Sequence, residues 1–395
     1  MAVKIVRQRN KIALLGAPTS AASMSAGHER GPAALRAAGL IERLQSIGYE
    51  VNDLGDDPTS VFKPDEESPR ARNLAGVIAA LEALKPRVEQ AVKSCALPLI
   101  LGGDCSIVLA TIAGLRRYFR NISLIYMDRD ADLNTPATTQ TGCVDGMVVS
   151  HLTGRGAAEL VRFWGEPPLV REPDLALFGV ERLGPPEEEV LSRSPLRHFL
   201  AADVQRMGAG AAAQAAVDRV HGAGYEFVMH IDVDVISDFQ ATNYPGAGGL
   251  RLEEVREALE VFVRQKHLAA IEVTAYNPTK DSDGSGAKII LDLLANVLAA
   301  RSEALKAEEQ AASAAAASAV SSVASAVASS PAVEIPVAVE ASTGSGLEPV
   351  PPTVPPGEAW SAETLETEQR TGEDALRREE AEPSETPGEP DASNS

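Results

Sequence analysis

The chain is 395 residues long, room for about two to three domains by length alone. Hydrophobic residues make up 44% and charged residues 23%, enough to bury a sizeable core, and 36 Lys plus Arg against 56 Asp plus Glu leave a formal net charge of -20. That balance argues against a nucleic-acid partner, three Cys make no disulfide framework and point to a reducing compartment, and no apolar run reaches the roughly 18 residues of a membrane span. The basic segment Met1–Lys11 carries no apolar stretch of its own, so neither a secretory signal nor a transit peptide is expected and the cytoplasm is the expected location.

The predicted elements alternate. Lys11–Leu15 reads as a strand closed by Gly16-Ala17-Pro18, and Pro32–Ile47 carries apolar residues at helical spacing. Ala71–Val92, interrupted by Pro86, is a second helical pattern. Leu97–Leu101 closes on Gly102-Gly103, Ser123–Met127 on Asp128, and Asp174–Phe178 on Gly179. Phe227–Ile231 closes on Asp232, Leu252–Val263 is helical, Leu268–Val273 is a strand, and Ala287–Arg301 is helical. Continuous apolar strands between helices imply a parallel sheet covered on both faces, with ligands bound beyond the carboxyl ends of its strands. Composition breaks after Arg301. Residues 302–395 hold 18 acidic and 4 basic side chains, and 311–330 are all Ala, Ser or Val. This tail is expected to be largely disordered, although its Ala-rich part has the propensity for helix up to Pro331.

The carboxylates fall at the predicted strand ends. One strand ends in Asp128-Arg129-Asp130-Ala131-Asp132, another in Asp232-Val233-Asp234, and a third in Gly102-Gly103-Asp104-Cys105-Ser106. Alternation puts Asp128, Asp130 and Asp132 on one side of the chain, and Asp232 with Asp234 on one side. Such acids are solvated, cap helices, or converge on a hard divalent cation such as Mn, Mg or Ca. Two DxD runs at different strand ends, with a Gly-Gly-Asp turn, favour the cation.

These residues resemble the arginase (ureohydrolase) family over nearly all of residues 10–300. Gly16-Ala17-Pro18 with Glu29-Arg30-Gly31-Pro32 and Leu35-Arg36 is similar to the family's opening. Gly102–Ser106 resembles GGDHS, Asp128–Pro136 resembles DAHADLNTP, and Ile231–Asp234 resembles FDVD. Ala241–Pro245 with Gly248-Gly249-Leu250 resembles ATGTP..GGL, and Val273–Pro278 the closing VEVNP. The resemblance implies a three-layer α/β/α domain over 1–301, followed by the 302–395 tail. It also implies two Mn ions activating a hydroxide that attacks L-arginine to give ornithine and urea. Asp128, Asp132, Asp232 and Asp234 match metal-ligand positions, and Asn134, Thr139 and Thr141 match positions that hold the substrate α-carboxylate.

The departures cluster on the chemistry. Cys105 and Asp130 stand at two of the family's His ligand positions, and none of the six His in the chain falls on a family ligand position. Asp145 replaces the His taken as a proton shuttle, Ala275 the guanidinium-binding Glu, Gly184 the acid for the α-amino group, and Cys143 a loop Asn. Arg129 replaces a small residue; it is expected either to fold back onto the carboxylates or to be a buried structural Arg. Glu272 is read as a structural acid. Glu253-Glu254 replaces an Arg-Glu pair of the family's trimer, which leaves the oligomeric state open. The expected function is therefore an arginase-like protein with little or no arginine hydrolysis that binds a cation, an amino-acid or guanidino ligand, or an active arginase subunit, as a homo-oligomer or in such an association. The alternative is an active metal-dependent hydrolase of arginine or another guanidino or amidino compound, with a rearranged site. No nucleic acid and no membrane are expected as partners.

Overall fold

The structure, a computed structural model, describes residues 7, 8, 10–220 and 226–328, with side chains as far as 315. Most of Met1–Lys11, read above for targeting signals, and residues 329–395 of the tail lie outside the described residues. Eight parallel strands form one sheet: β1 (Lys11–Ala17), β2 (Glu50–Asp56), β3 (Leu97–Gly102), β4 (Ile122–Met127), β5 (Leu175–Val180), β6 (Arg197–Leu200), β7 (Glu226–Asp232) and β8 (Leu268–Thr274). Their order is β2-β1-β3-β8-β7-β4-β5-β6. The expected three-layer α/β/α fold is the one observed.

The chain lays down β3 and β4 with a gap between them, and β7 and β8 later fill that gap. The carboxyl ends of β3, β8, β7 and β4 therefore stand side by side. These are the ends that carry Gly102–Ser106, Thr274-Ala275, Asp232–Asp234 and Asp128–Asp132. Alternation along the strands divides the core in two. Leu99, Ile125, Met229 and Ile271 belong to one apolar cluster; Ile100, Leu124, Val228 and Ala270 belong to the other, under the helices Leu74–Lys93 and Ile107–Leu115. The second face is also the one of Asp128, Asp232 and Thr274, each four residues beyond Leu124, Val228 and Ala270.

The six apolar strands of the sequence reading are present, with ends differing by up to two residues. β2 and β6 were not predicted. Both are edge strands with exposed positions, so neither needs an apolar run. The single helix read over Pro32–Ile47 is two, Gly31–Ala37 and Leu40–Ser46, parted at Gly39 with φ +93. The helix Leu74–Lys93 runs through Pro86. The last helix, read as Ala287–Arg301, spans Ser285–Ala328. It buries Leu298, Arg301 and Leu305, whereas residues 311–315 are exposed. The composition break at Arg301 thus falls inside a helix that alanine propensity extends.

Candidate metal centre

Each motif is held by its own backbone. Asp128 Oδ1 accepts the Asp130 N–H at 2.7 Å, and Asp232 Oδ1 accepts the Asp234 N–H at 2.7 Å, so both DxD turns are tied by their first aspartate. At the end of β3, Gly103 passes against the loop after β1: a Cβ there would lie 1.7 Å from the Thr19 carbonyl oxygen. Asp104 closes that junction by accepting from the Ala22 N–H at 3.0 Å, Thr19 Oγ1 at 3.2 Å and the Ser106 N–H at 3.2 Å. It is a structural acid, and it delivers Cys105 to the site.

The side chains converge on a pocket of about 250 Å³. Carboxylate oxygens of Asp128, Asp232 and Asp234 lie within 4.8 Å of one another, all buried. Cys105 Sγ is 3.0 Å from Asp232 Oδ2 and 3.2 Å from Thr274 Oγ1. Asp132 lines the same pocket with its backbone at φ +49, and its Oδ2 accepts from the Tyr126 hydroxyl at 2.5 Å. Burial pushes the pKa of Asp128, Asp132 and Asp232 well above the carboxylate range, and their mutual repulsion pushes it further. Burial, with Asp232 and Asp145 beside it, likewise raises the Cys105 thiol.

Asp130 does not join that cluster. Its carboxylate pairs with Arg182, Nε to Oδ1 at 2.8 Å, and the same guanidinium pairs with Asp234 Oδ2. Arg182 Nη1 also donates to the Tyr244 carbonyl at 3.1 Å. Burial works against the charge on Arg182, but Asp234 and Asp130 outweigh it and hold its pKa above the ordinary value. Burial and Asp234 raise Asp130 to about 6 despite Arg182. Both readings of Arg129 meet in one arrangement. Its buried side chain donates to the carbonyls of Tyr244 at 2.7 Å and Gly248 at 3.0 Å, and Nη2 stands 4.0 Å from Asp234 Oδ2.

The substrate-loop positions are bound up internally. Asn134 and Thr141 line the pocket, while Thr139 turns back to accept the Gly142 N–H at 2.9 Å. Asn134 Oδ1 accepts from Thr138 Oγ1 at 3.1 Å. Asp145 accepts from the Cys105 N–H at 2.8 Å, the Tyr244 hydroxyl at 3.0 Å and the Ser23 hydroxyl at 3.4 Å, and burial together with Asp104 raises it to about 7. Ala275 is buried at φ +64 and presents only a methyl group.

Residues 10–300 match the arginase family. The chain belongs to the arginase family. It is 29% identical to the arginase of Bacillus subtilis (strain 168) over 290 residues, which covers 73% of this chain and 97% of that protein. The solved arginase of Bacillus caldovelox superposes with a TM-score of 0.67 at 27% identity, covering 73% of this chain and 98% of that one. The proclavaminate amidino hydrolase of Streptomyces clavuligerus, at 18% identity and a TM-score of 0.57, shares the fold; the match covers 76% of this chain and 96% of that one.

Three residues of this arginase-family site were absent from the sequence reading or misplaced in it. Glu187 lines the pocket, but its carboxylate accepts the Gly184 N–H at 2.9 Å and the Leu133 N–H at 3.1 Å, capping the helix Pro185–Arg193. Arg182 lies between Gly179 and Gly184, and its partners are brought to it only because β5 lies beside β4. His230 is one of the six His that fall outside the family ligand positions. It lies two residues before Asp232, on the same face of β7, and that parity was available in the sequence. A ring nitrogen of His230, Cys105 Sγ and an Asp128 oxygen lie within 4.8 Å of one another. Ligands of one small cation sit on the order of 3–4.5 Å apart, so this set fits an ion after a shift of a few tenths of an ångström. On the other side, the Arg182 guanidinium pairs with both Asp130 and Asp234 Oδ2, so those oxygens already face a cation of the chain, while Asp128, Asp232 and Asp234 still bring carboxylate oxygens within 4.8 Å of one another.

Proposed function

We propose that this arginase-family protein has little or no arginine hydrolysis and works as a binding protein, holding at most one divalent cation in its pocket with room for a small amino-acid or guanidino ligand above it. The observation that carries this reading is the Arg182 guanidinium set between Asp130 and Asp234. A protein cation there competes for the oxygens that a second metal ion needs. Breaking a buried ion pair costs ~3–5 kcal/mol, less here because about a third of the Arg182 side chain is exposed. A cost of ~2–3 kcal/mol weakens a second ion by roughly 30- to 150-fold. Three further losses support the same conclusion. Ala275 offers no carboxylate to a guanidinium, Asp145 is committed to three donors, and Gly184 has no side chain. Groups that act as a unit in catalysis fail together.

The test is metal content of the purified chain, with urea and ornithine release from arginine in added Mn. At most one ion per chain and background turnover are expected. Two ions with turnover at the rate of an ordinary arginase would defeat the reading, as would hydrolysis of another guanidino or amidino compound in a substrate panel. A variant restores the family residues: Cys105→His, Asp130→His, Asp145→His and Ala275→Glu together. It is expected to stay inert until Arg182→Ala is added, and urea release should then rise on the order of a hundredfold.

A further inference from the structure

Three buried side chains stand in register beneath the pocket floor. Tyr126 on β4 pairs with His230 on β7, and His230 pairs with Glu272 on β8. The Tyr126 and His230 rings stack with centroids 4.3 Å apart at 2°. Glu272 Oε2 lies 2.9 Å from His230 Nδ1, and both side chains are fully buried. A carboxylate facing Nδ1 accepts from the ring N–H there, which keeps the proton on Nδ1 and leaves the lone pair on Nε2. Nε2 lies 3.3 Å from Thr274 Oγ1, but that hydroxyl has one proton and also donates to the Ile231 carbonyl at 3.2 Å. Thr274 Oγ1 in turn touches Cys105 Sγ at 3.2 Å. Nε2 thus shares the single Thr274 proton with the Ile231 carbonyl, and a ring nitrogen of His230 lies within 4.8 Å of Cys105 Sγ and an Asp128 oxygen. Nearby, Asp234 Oδ1 and Glu272 Oε1 are buried without a hydrogen-bond partner among the described residues.

We propose that Cys105, Asp128 and His230, with Asp232 beside them, form a site for one borderline transition cation of the zinc class, and that Glu272 is the positioning residue for His230. The imidazole missing at position 105 is supplied instead from β7, one row deeper in the sheet. The donor set has become softer in the exchange: a thiol and an imidazole now accompany the carboxylates. Thiolate and imidazole favour zinc-like ions, whereas oxygen ligands favour Mn, Mg and Ca. A carboxylate behind a ligating imidazole fixes the ring and its tautomer. The proposal rests on the single-cation reading for its stoichiometry alone.

The experiment titrates the chelator-treated full chain with cobalt(II) chloride and follows absorbance, then competes with zinc or manganese chloride. One cobalt per chain is expected, with a sulfur-to-cobalt charge-transfer band that Cys105→Ser abolishes. Zinc should displace cobalt at equal concentration and manganese should not. His230→Gln should weaken cobalt at least about tenfold. Glu272→Gln should weaken it about 10- to 100-fold while the bound form keeps its band, the mark of positioning as opposed to ligation. Cobalt bound without the band, unchanged affinity in folded His230→Gln, or displacement by manganese would overturn the site. If variants fail to fold, the wild-type spectrum and the competition decide. Two manganese ions with arginine hydrolysis would defeat the single-cation reading even with the band present. A missing band would defeat this site even in a protein that leaves arginine untouched.

Discussion

The two ends of the aspartate cluster share one chemistry and solve its problem differently. Toward β5, Asp130 and Asp234 meet a guanidinium from Arg182, with Arg129 behind it, and the charge is balanced within the chain. Toward β3, Asp128 and Asp232 meet a thiol and an imidazole, and burial raises the pKa of both carboxylates. An internal cation makes an acidic pair permanent, whereas neutral donors leave it open to an exogenous ion. The difference comes from a few side chains on an unchanged backbone plan, which is why the fold alone does not settle function.

The contrast breaks first at Arg182. Arg182→Ala should cost ~2–3 kcal/mol of unfolding free energy in chelator and recover part of it in millimolar Mn or Mg, as the carboxylates exchange one cation for another. Urea denaturation with and without the ion measures both; equal loss in the two conditions would count against the pairing.

The pH dependence sharpens the other end. Burial raises Asp145 to about 7, and it raises Asp128, Asp132 and Asp232 in the same direction. A raised carboxyl contributes stability below its unfolded value near 4 and loses it as pH climbs through its folded value. The buried His28 and His151, lowered to about 3 and 4, work in the opposite sense, but only below their unfolded value near 6.5. Between pH 6.5 and 8, metal-free protein should therefore lose stability, about 1 kcal/mol from Asp145 alone. Saturating zinc should flatten that slope. Stability rising over this window in chelator would be the contrary result.

The smallest effect is at Tyr126. Tyr126→Phe removes the hydroxyl on Asp132 and should cost about 1 kcal/mol without metal while tightening divalent binding, which calorimetric titration detects. Weaker binding in the variant would mean that the hydroxyl supports the ion and does not compete with it.

The fold was legible because its central strands are buried on both faces and so spell continuous apolar runs. The edge strands were not, since one solvated side removes that signal, and Pro86 suggested a break that the helix does not make. At the site, Asp128, Asp232 and Asp234 are brought together as strand-end reading placed them, while Asp130 is turned aside by a residue 52 positions away. No local pattern announces such a partner. His230 was hidden for another reason: comparison with family positions looked where the imidazoles used to be, whereas its own evidence was alternation, two residues from Asp232.

The row of Tyr126, His230 and Glu272 ties the chemistry to the backbone ladder of the sheet. A slip of β7 by one residue would send the imidazole to the opposite layer and put Ile231 in its place. Selectivity for a metal in this protein is thus a property of strand alignment. It should persist through wide change in the surrounding loops and vanish with a single misaligned rung.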